Sequence, residues 1–166
     1  MVKSNIVLIG MPGAGKSTIG VVLAKLRGMR FIDTDLVVQE HTAQLLSETI
    51  EQRGVDAFTS LENTIVSRID VSRAVIATGG SVVYGSQAMR HLAEKGTIVF
   101  IDCGFDELAR RLGSLEHRGV ALREGQDLRT LYEERLPLYR RYAELSVDVT
   151  DLDVRQAVLA INDQLC

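Results

Sequence analysis

The chain has little of what several specialised classes of protein need. Its 166 residues include two cysteines, two prolines, no tryptophan and only 5% aromatic residues. Cys103 and Cys166 fall into no metal-ligand spacing and are too few for a disulfide framework, so both read as reduced thiols, Cys103 as a small core residue. The two prolines, Pro12 and Pro137, leave little room for linkers, and Pro137 sits inside a helical pattern where a kink is expected. No apolar run is long enough to span a bilayer. The opening Met-Val-Lys-Ser-Asn passes straight into a strand pattern too short for the apolar segment of a signal peptide, so no membrane partner and a cytoplasmic location are expected. Basic excess is missing as well. A formal charge of −3 argues against a general nucleic-acid binder, whose affinity comes largely from clustered Lys and Arg. No internal repeat or low-complexity tract is present.

What remains is a chain 46% hydrophobic, enough to fold as one domain over residues 1–166. Five short runs rich in Val, Ile and Leu recur at 5–9, 30–32, 74–77, 97–102 and 146–149. Such runs, without polar alternation, suit a parallel sheet buried on both faces. Between them, 17–26, 55–69, 87–94, 106–112, 127–144 and 153–165 have helical patterns, several ending near a glycine (Gly28, Gly96, Gly113) as left-handed caps require. The predicted class is α/β, a five-stranded parallel sheet flanked by helices. Residues 114–126 have no clean period, and a connection of that length in a tight domain reads as a lid loop.

Gly10-Met11-Pro12-Gly13-Ala14-Gly15-Lys16-Ser17 matches G-x-x-x-x-G-K-[ST] between a predicted strand and a predicted helix, the context that makes the motif specific. Gly13 and Gly15 let successive backbone N–H groups turn inward, with Ala14 between them and Ser17 and Thr18 opening the helix, to form an anion nest. Lys16 would reach the β and γ phosphates of ATP, and the Ser17 hydroxyl can ligate Mg²⁺. Neither an N-K-x-D nor a D-x-x-G motif of a GTPase switch is present. A chain this short therefore reads as an ATP-dependent kinase of a second small molecule.

The second strand pattern runs into Asp33-Thr34-Asp35. Strand C-termini in open α/β sheets face the ligand crevice, so both carboxylates should lie near the γ phosphate. One can hold Mg²⁺ while the other accepts a proton or hydrogen bond from the attacking hydroxyl. Asp35 alone could instead cap the following helix. Asp102, ending the apolar run 98–101, is a rival magnesium carboxylate.

Taken in order, GMPGAGKS at 10–17, DTD at 33–35, ATGGS at 77–81, an arginine in the 114–126 loop and RLPLY at 135–139 resemble the shikimate kinase family over nearly the whole chain. The resemblance implies a nucleoside-monophosphate-kinase-like sheet and transfer of the ATP γ-phosphoryl group to a hydroxyl of a small metabolite, shikimate first. It implies Mg²⁺ at Ser17 and Asp33, Asp35 at the reacting hydroxyl, Gly79 and Gly80 packed against the acceptor, and Arg135 paired with the acceptor's carboxylate. Arg118 resembles the lid arginine that closes on the phosphates, and Arg111 the residue that stacks on adenine. A role in aromatic amino acid biosynthesis and a monomeric state are the corresponding expectations.

The departures fall on the acceptor side. Where the family carries F-R-x-x-E, this chain reads Phe58-Thr59-Ser60-Leu61-Glu62, so Thr59 stands where an arginine would grip the acceptor's carboxylate. The Gly-rich turn ends in Ser81, and the lid reads Arg118-Gly119-Val120-Ala121. Losing a charged hydrogen-bonding partner is worth about 1.5 to 3 kcal/mol. Three readings follow: a shikimate kinase with Arg123 as the compensating cation, a related kinase of another hydroxy acid, sugar acid or nucleotide, or a nucleotide-binding regulatory module without turnover.

Overall fold

The computed structural model describes residues 3–113 and 120–165. Five strands, β1 (Asn5–Ile9), β2 (Arg30–Asp33), β3 (Ala74–Ala77), β4 (Gly96–Asp102) and β5 (Leu145–Asp148), form one sheet in the order β2-β3-β1-β4-β5. Every pairing is parallel, with Ile6 opposite both Val75 and Thr97. Val7, Leu8 and Ile9 are fully buried, as are Val75 and Ile98. Burial on both faces is why these runs carry no polar alternation.

Helices α1 (Lys16–Arg27), α4 (Val55–Val66), α5 (Ser86–Lys95), α6 (Phe105–Leu112), α7 (Leu128–Tyr142) and α8 (Val154–Gln164) match the six helical patterns to within a few residues. The helix α7 continues through Pro137. Gly28 ends α1 in the left-handed conformation expected of a glycine cap, whereas Gly113 has a positive φ of 56° with ψ at −110°, outside the left-handed helical region. Nor is Gly96 left-handed. Its φ of −153° is extended and opens β4, where an added Cβ would lie 2.9 Å from the Asn5 carbonyl oxygen. Close backbone approach rather than a left-handed turn explains that glycine.

Residues 34–53 carried no expected element, yet form α2 (Thr34–Thr42) and α3 (Leu46–Arg53). These helices are held by a second small core in which Val38, Phe58, Ile65 and Ala121 are buried against Leu46 and Ile50. Tertiary burial decides their state where local propensity does not. Ala121, in the stretch expected to be loose, is buried there too.

In the order β2-β3-β1-β4-β5 the connection leaving β1 runs outward to β2, whereas the one leaving its neighbour β3 crosses β1 to reach β4. The crevice beyond the C-terminal end of β1 is the switch point where doubly wound sheets bind ligands. The motif at 10–17 begins there.

Candidate active site

The donor wall is built from one continuous segment. Gly10, Gly13 and Gly15 all have positive φ, which lets the backbone curl into a nest. Gly13 also has no space for a side chain, since a Cβ would meet Leu112 at 2.9 Å. The turn delivers the chain to α1, whose N-cap is Gly15, with no acidic residue in its first turn and no side chain capping it. The positive end of the helix thus faces the crevice uncompensated by protein. Lys16 is buried and donates from Nζ to the Gly10 and Met11 carbonyls at 2.7 and 2.8 Å. Burial lowers its pKa to about 8, opposed by the negative charge of Asp35. Ala14 is fully buried, its carbonyl 3.5 Å from Nη1 of Arg111. Arg111 is oriented by Glu107, which accepts from its Nε at 2.6 Å.

The acceptor wall is assembled from distant parts of the chain. At the end of β2, Asp33 accepts from the Ser17 hydroxyl at 2.6 Å and from the Asp35 amide at 3.0 Å. The side chain that caps α2 is therefore Asp33, not Asp35. That leaves the Asp35 carboxylate free to face the crevice. Burial, and then the neighbouring charge of Asp33, raise its pKa to about 6. The turn after β3 is fixed by the Gly79 amide, which donates to Thr34 Oγ1 at 3.1 Å. A Cβ on Gly79 would lie 2.5 Å from Glu62 Oε1 and 2.7 Å from Asp35 Oδ1, and one on Gly80 would lie 2.8 Å from both Arg135 Nη1 and Pro12 Cδ. Only glycine lets two carboxylates and a guanidinium close on this turn.

Arg135 is 1% exposed, the bulkiest of the fully buried side chains. Its Nη2 donates to the Ala121 carbonyl at 3.1 Å and its Nε to the Tyr84 hydroxyl at 3.3 Å. One turn on, Tyr139 stacks on Phe100 and donates to the Gly80 carbonyl at 2.7 Å. It serves core and site at once. Between the two walls lies a cleft of about 690 Å³, whose lining includes Lys16, Ser17, Asp35, Gly80, Arg111 and Arg135. Such a size suits a small-molecule site.

Most of the expected site residues meet at this cleft. Gly13, Gly15, Thr18 and Gly79 line it as well. Arg118 lies outside the described residues. Thr59 is on the second turn of α4, where its hydroxyl donates to the Val55 carbonyl at 2.9 Å. It lines an adjoining recess of about 250 Å³ with Tyr84 and Arg123 rather than the main cleft. Asp102 is absent from the described lining of the cleft, its neighbours being Arg140 and Asp148. Among the described residues, no cluster of three or more His, Cys, Asp or Glu side chains is arranged to hold a metal alone. A Ser hydroxyl beside one carboxylate is the donor set of a Mg²⁺ ion that takes most of its ligands from water and phosphate.

Sequence reasoning gave Glu62 no settled place. It is 1% exposed, accepts from the Ser81 hydroxyl at 2.6 Å, and has its pKa raised to about 7, first by burial. The departure at 81 thus meets the glutamate of the 58–62 segment, while the Thr59 hydroxyl bonds within its own helix. The Ser81 hydroxyl satisfies a carboxylate that is otherwise buried.

A shikimate kinase family model matches residues 12–166. The chain belongs to the shikimate kinase family. A shikimate kinase of Clostridium botulinum is 38% identical over 84% of this chain and 84% of its own length. One from Methylococcus capsulatus is 32% identical over 96% and 90%. Among solved structures, shikimate kinase from Acinetobacter baumannii in complex with shikimate superposes with a TM-score of 0.90 at 27% identity, covering 99% of this chain and 93% of that one. That of Aquifex aeolicus gives 0.81 at 29% identity, covering 97% and 95%. As a member of this family, the protein is an ATP-dependent kinase that transfers a phosphoryl group to a hydroxyl. The five-stranded parallel sheet and phosphate-binding loop are the shikimate kinase fold.

Proposed function

We propose that the acceptor is shikimate, bound between Asp35, the Gly79-Gly80 turn and Arg135. The observation that carries this reading is the convergence of a cleft-lining carboxylate and a buried arginine on one glycine turn, opposite the phosphate-binding loop. Arg135 has two of its guanidinium nitrogens anchored to protein. Its Nη1 is left toward Gly80 and the cleft, where a carboxylate finds a preorganised cation. Asp35 would orient the acceptor hydroxyl and take its proton. A carboxylate with a pKa near 6 is a stronger base than an ordinary aspartate and is ionised at neutral pH.

On the donor side, Ser17 and Asp33 would hold Mg²⁺, which supplies neutralisation of phosphate charge when bound. Lys16 and the amides of 13–17 hold the phosphates in place and stabilise negative charge as the transfer proceeds, so catalysis is positioning and electrostatics. Lys16 surrenders its two carbonyl partners to reach a phosphate, and the anion raises its pKa above the ligand-free value. Arg118, in the stretch preceding Val120, would add a further cation over the phosphates.

A second reading keeps the chemistry and changes the acceptor. It is favoured by the recess beside Thr59, which a longer side chain would fill. Steady-state release of ADP with shikimate, with a panel of hydroxylated acids, and with Thr59→Arg separates the two. Turnover of shikimate by the wild type at family-typical efficiency supports the first. Turnover only by the arginine variant, with another acid preferred by the wild type, supports the second.

A further inference from the structure

Arg135 does not stand alone. Its Nε donates to Tyr84 Oη at 3.3 Å, and that hydroxyl in turn donates to Glu134 Oε1 at 2.5 Å. The ring of Tyr84 also lies under the guanidinium, with Cζ 5.3 Å from its centroid. Glu134 is the hub of the next contacts. Its Oε2 accepts from Gln126 Nε2 at 3.0 Å, and its Oε1 lies 3.6 Å from Nη1 of Arg123, whose Nη2 reaches Asp56 at 3.3 Å. Meanwhile Arg135 Nη2 is fixed to the carbonyl of Ala121. The acceptor arginine is therefore tied at two points to the segment 121–126, once directly and once through Tyr84 and Glu134.

We propose that Tyr84 and Glu134 are positioning residues that hold the Arg135 guanidinium in its acceptor-binding orientation. The inference rests on the reading of Arg135 as the residue that binds the acceptor's carboxylate. The physical reason is that Arg135 is buried beside Glu62 and Lys16, and a guanidinium there has to be held by hydrogen bonds on every edge that does not face the ligand. Tyr84 can fill this role because a phenol both accepts and donates. It accepts from the Nε–H and donates its own O–H to a carboxylate, which polarises the oxygen and strengthens the first bond. A phenylalanine at 84 would preserve the ring under the guanidinium and lose only the relay. Nothing in the spacing of 84, 126 and 134 announces this contact. It exists because the 3₁₀ turn Val82–Tyr84 packs against α7.

The test compares wild type, Tyr84→Phe and Glu134→Gln in two measurements. The first is steady-state kinetics with shikimate and ATP. Tyr84→Phe is expected to raise the KM for shikimate about tenfold and Glu134→Gln about threefold, with the loss concentrated in that KM rather than in kcat or the KM for ATP. The second is hydrogen exchange at the Arg135 Nε–H, read by ¹⁵N NMR on the ligand-free protein. Wild-type protection is expected to fall about tenfold in Tyr84→Phe. Equal increases in the KM values for shikimate and ATP would overturn the proposal, since general loosening has that effect. So would unchanged Nε–H exchange in both variants. If the wild type does not phosphorylate shikimate, the acceptor assignment fails on that result alone, and the exchange measurement still decides whether Tyr84 holds Arg135.

Discussion

The two walls of the cleft are built by different rules. The donor wall comes chiefly from the eight consecutive residues 10–17, uses mostly backbone groups, and needs glycines at set positions with Lys16 and Ser17 beside them. The acceptor wall takes Asp35 from the end of β2, Glu62 from α4, Gly79 and Gly80 from the turn after β3, and Arg135 from α7. Its geometry depends on side chains up to a hundred residues apart. A local device of that kind suits any reaction that uses ATP, whereas the assembled wall selects one acceptor. Ser81 belongs to the second wall and Thr59 to the recess beside it, and neither departure falls in the first.

If the division is sound, damage to the donor wall should lower kcat with any acceptor. Lys16→Met is expected to have the largest effect, a loss of about 10³ in kcat measured by ADP release, because it removes the one positive side chain at the base of the nest. A loss confined to the acceptor's KM would break the comparison.

Next comes Asp35→Asn, with an expected loss of about 10² in kcat. Here the sign of the stability change sharpens the argument. The folded protein raises the Asp35 pKa from 3.8 to about 6, so the native state holds this proton more tightly than the unfolded chain. Its contribution to stability is present below pH 4 and is lost as the pH rises to about 6. The neutral asparagine escapes that loss. Denaturant unfolding should find the variant more stable than wild type at pH 8, by about 2 to 3 kcal/mol, and nearly equal at pH 4. The same titration predicts that wild-type kcat/KM falls as the pH drops below about 6, a limb that Asp35→Asn should lack.

These expectations rest on features of unequal visibility in the sequence. All five strands were legible because their apolar runs are buried on both faces, and the phosphate loop was legible because its residues are contiguous. The pair α2 and α3 was not, since Val38, Leu46 and Ile50 gain a helical role only against Phe58 and Ile65 of α4. Position after a strand placed Asp33 and Asp35 at the site without separating their roles, which only the family resemblance assigned. Which one caps the helix depends on a single backbone turn. The Tyr84–Glu134–Arg135 contacts span fifty residues and follow no spacing rule. Ser81 and Glu62 became partners only when the fold brought the β3 turn beneath α4.

Arg135→Met tests the acceptor wall from the other direction. It should raise the KM for shikimate about ten- to a hundredfold while leaving that for ATP nearly unchanged. The smallest effect belongs to Ser81→Ala. Removing the hydroxyl strips Glu62 of its one short hydrogen bond. Urea unfolding should show a loss of about 1 to 2 kcal/mol, with the KM for ATP unaltered.

The most direct test of the acceptor wall uses the ligand rather than the protein. Shikimate and its methyl ester differ at the carboxyl group alone, charged in the acid and neutral and one methyl larger in the ester, and comparing their kcat/KM values in wild type and Arg135→Met separates charge from size. Arg135 binding to the carboxylate predicts a wild-type preference for the acid of about ten- to a hundredfold that shrinks to a few-fold in the variant. A preference of the same size in both proteins, or none in the wild type, would contradict it.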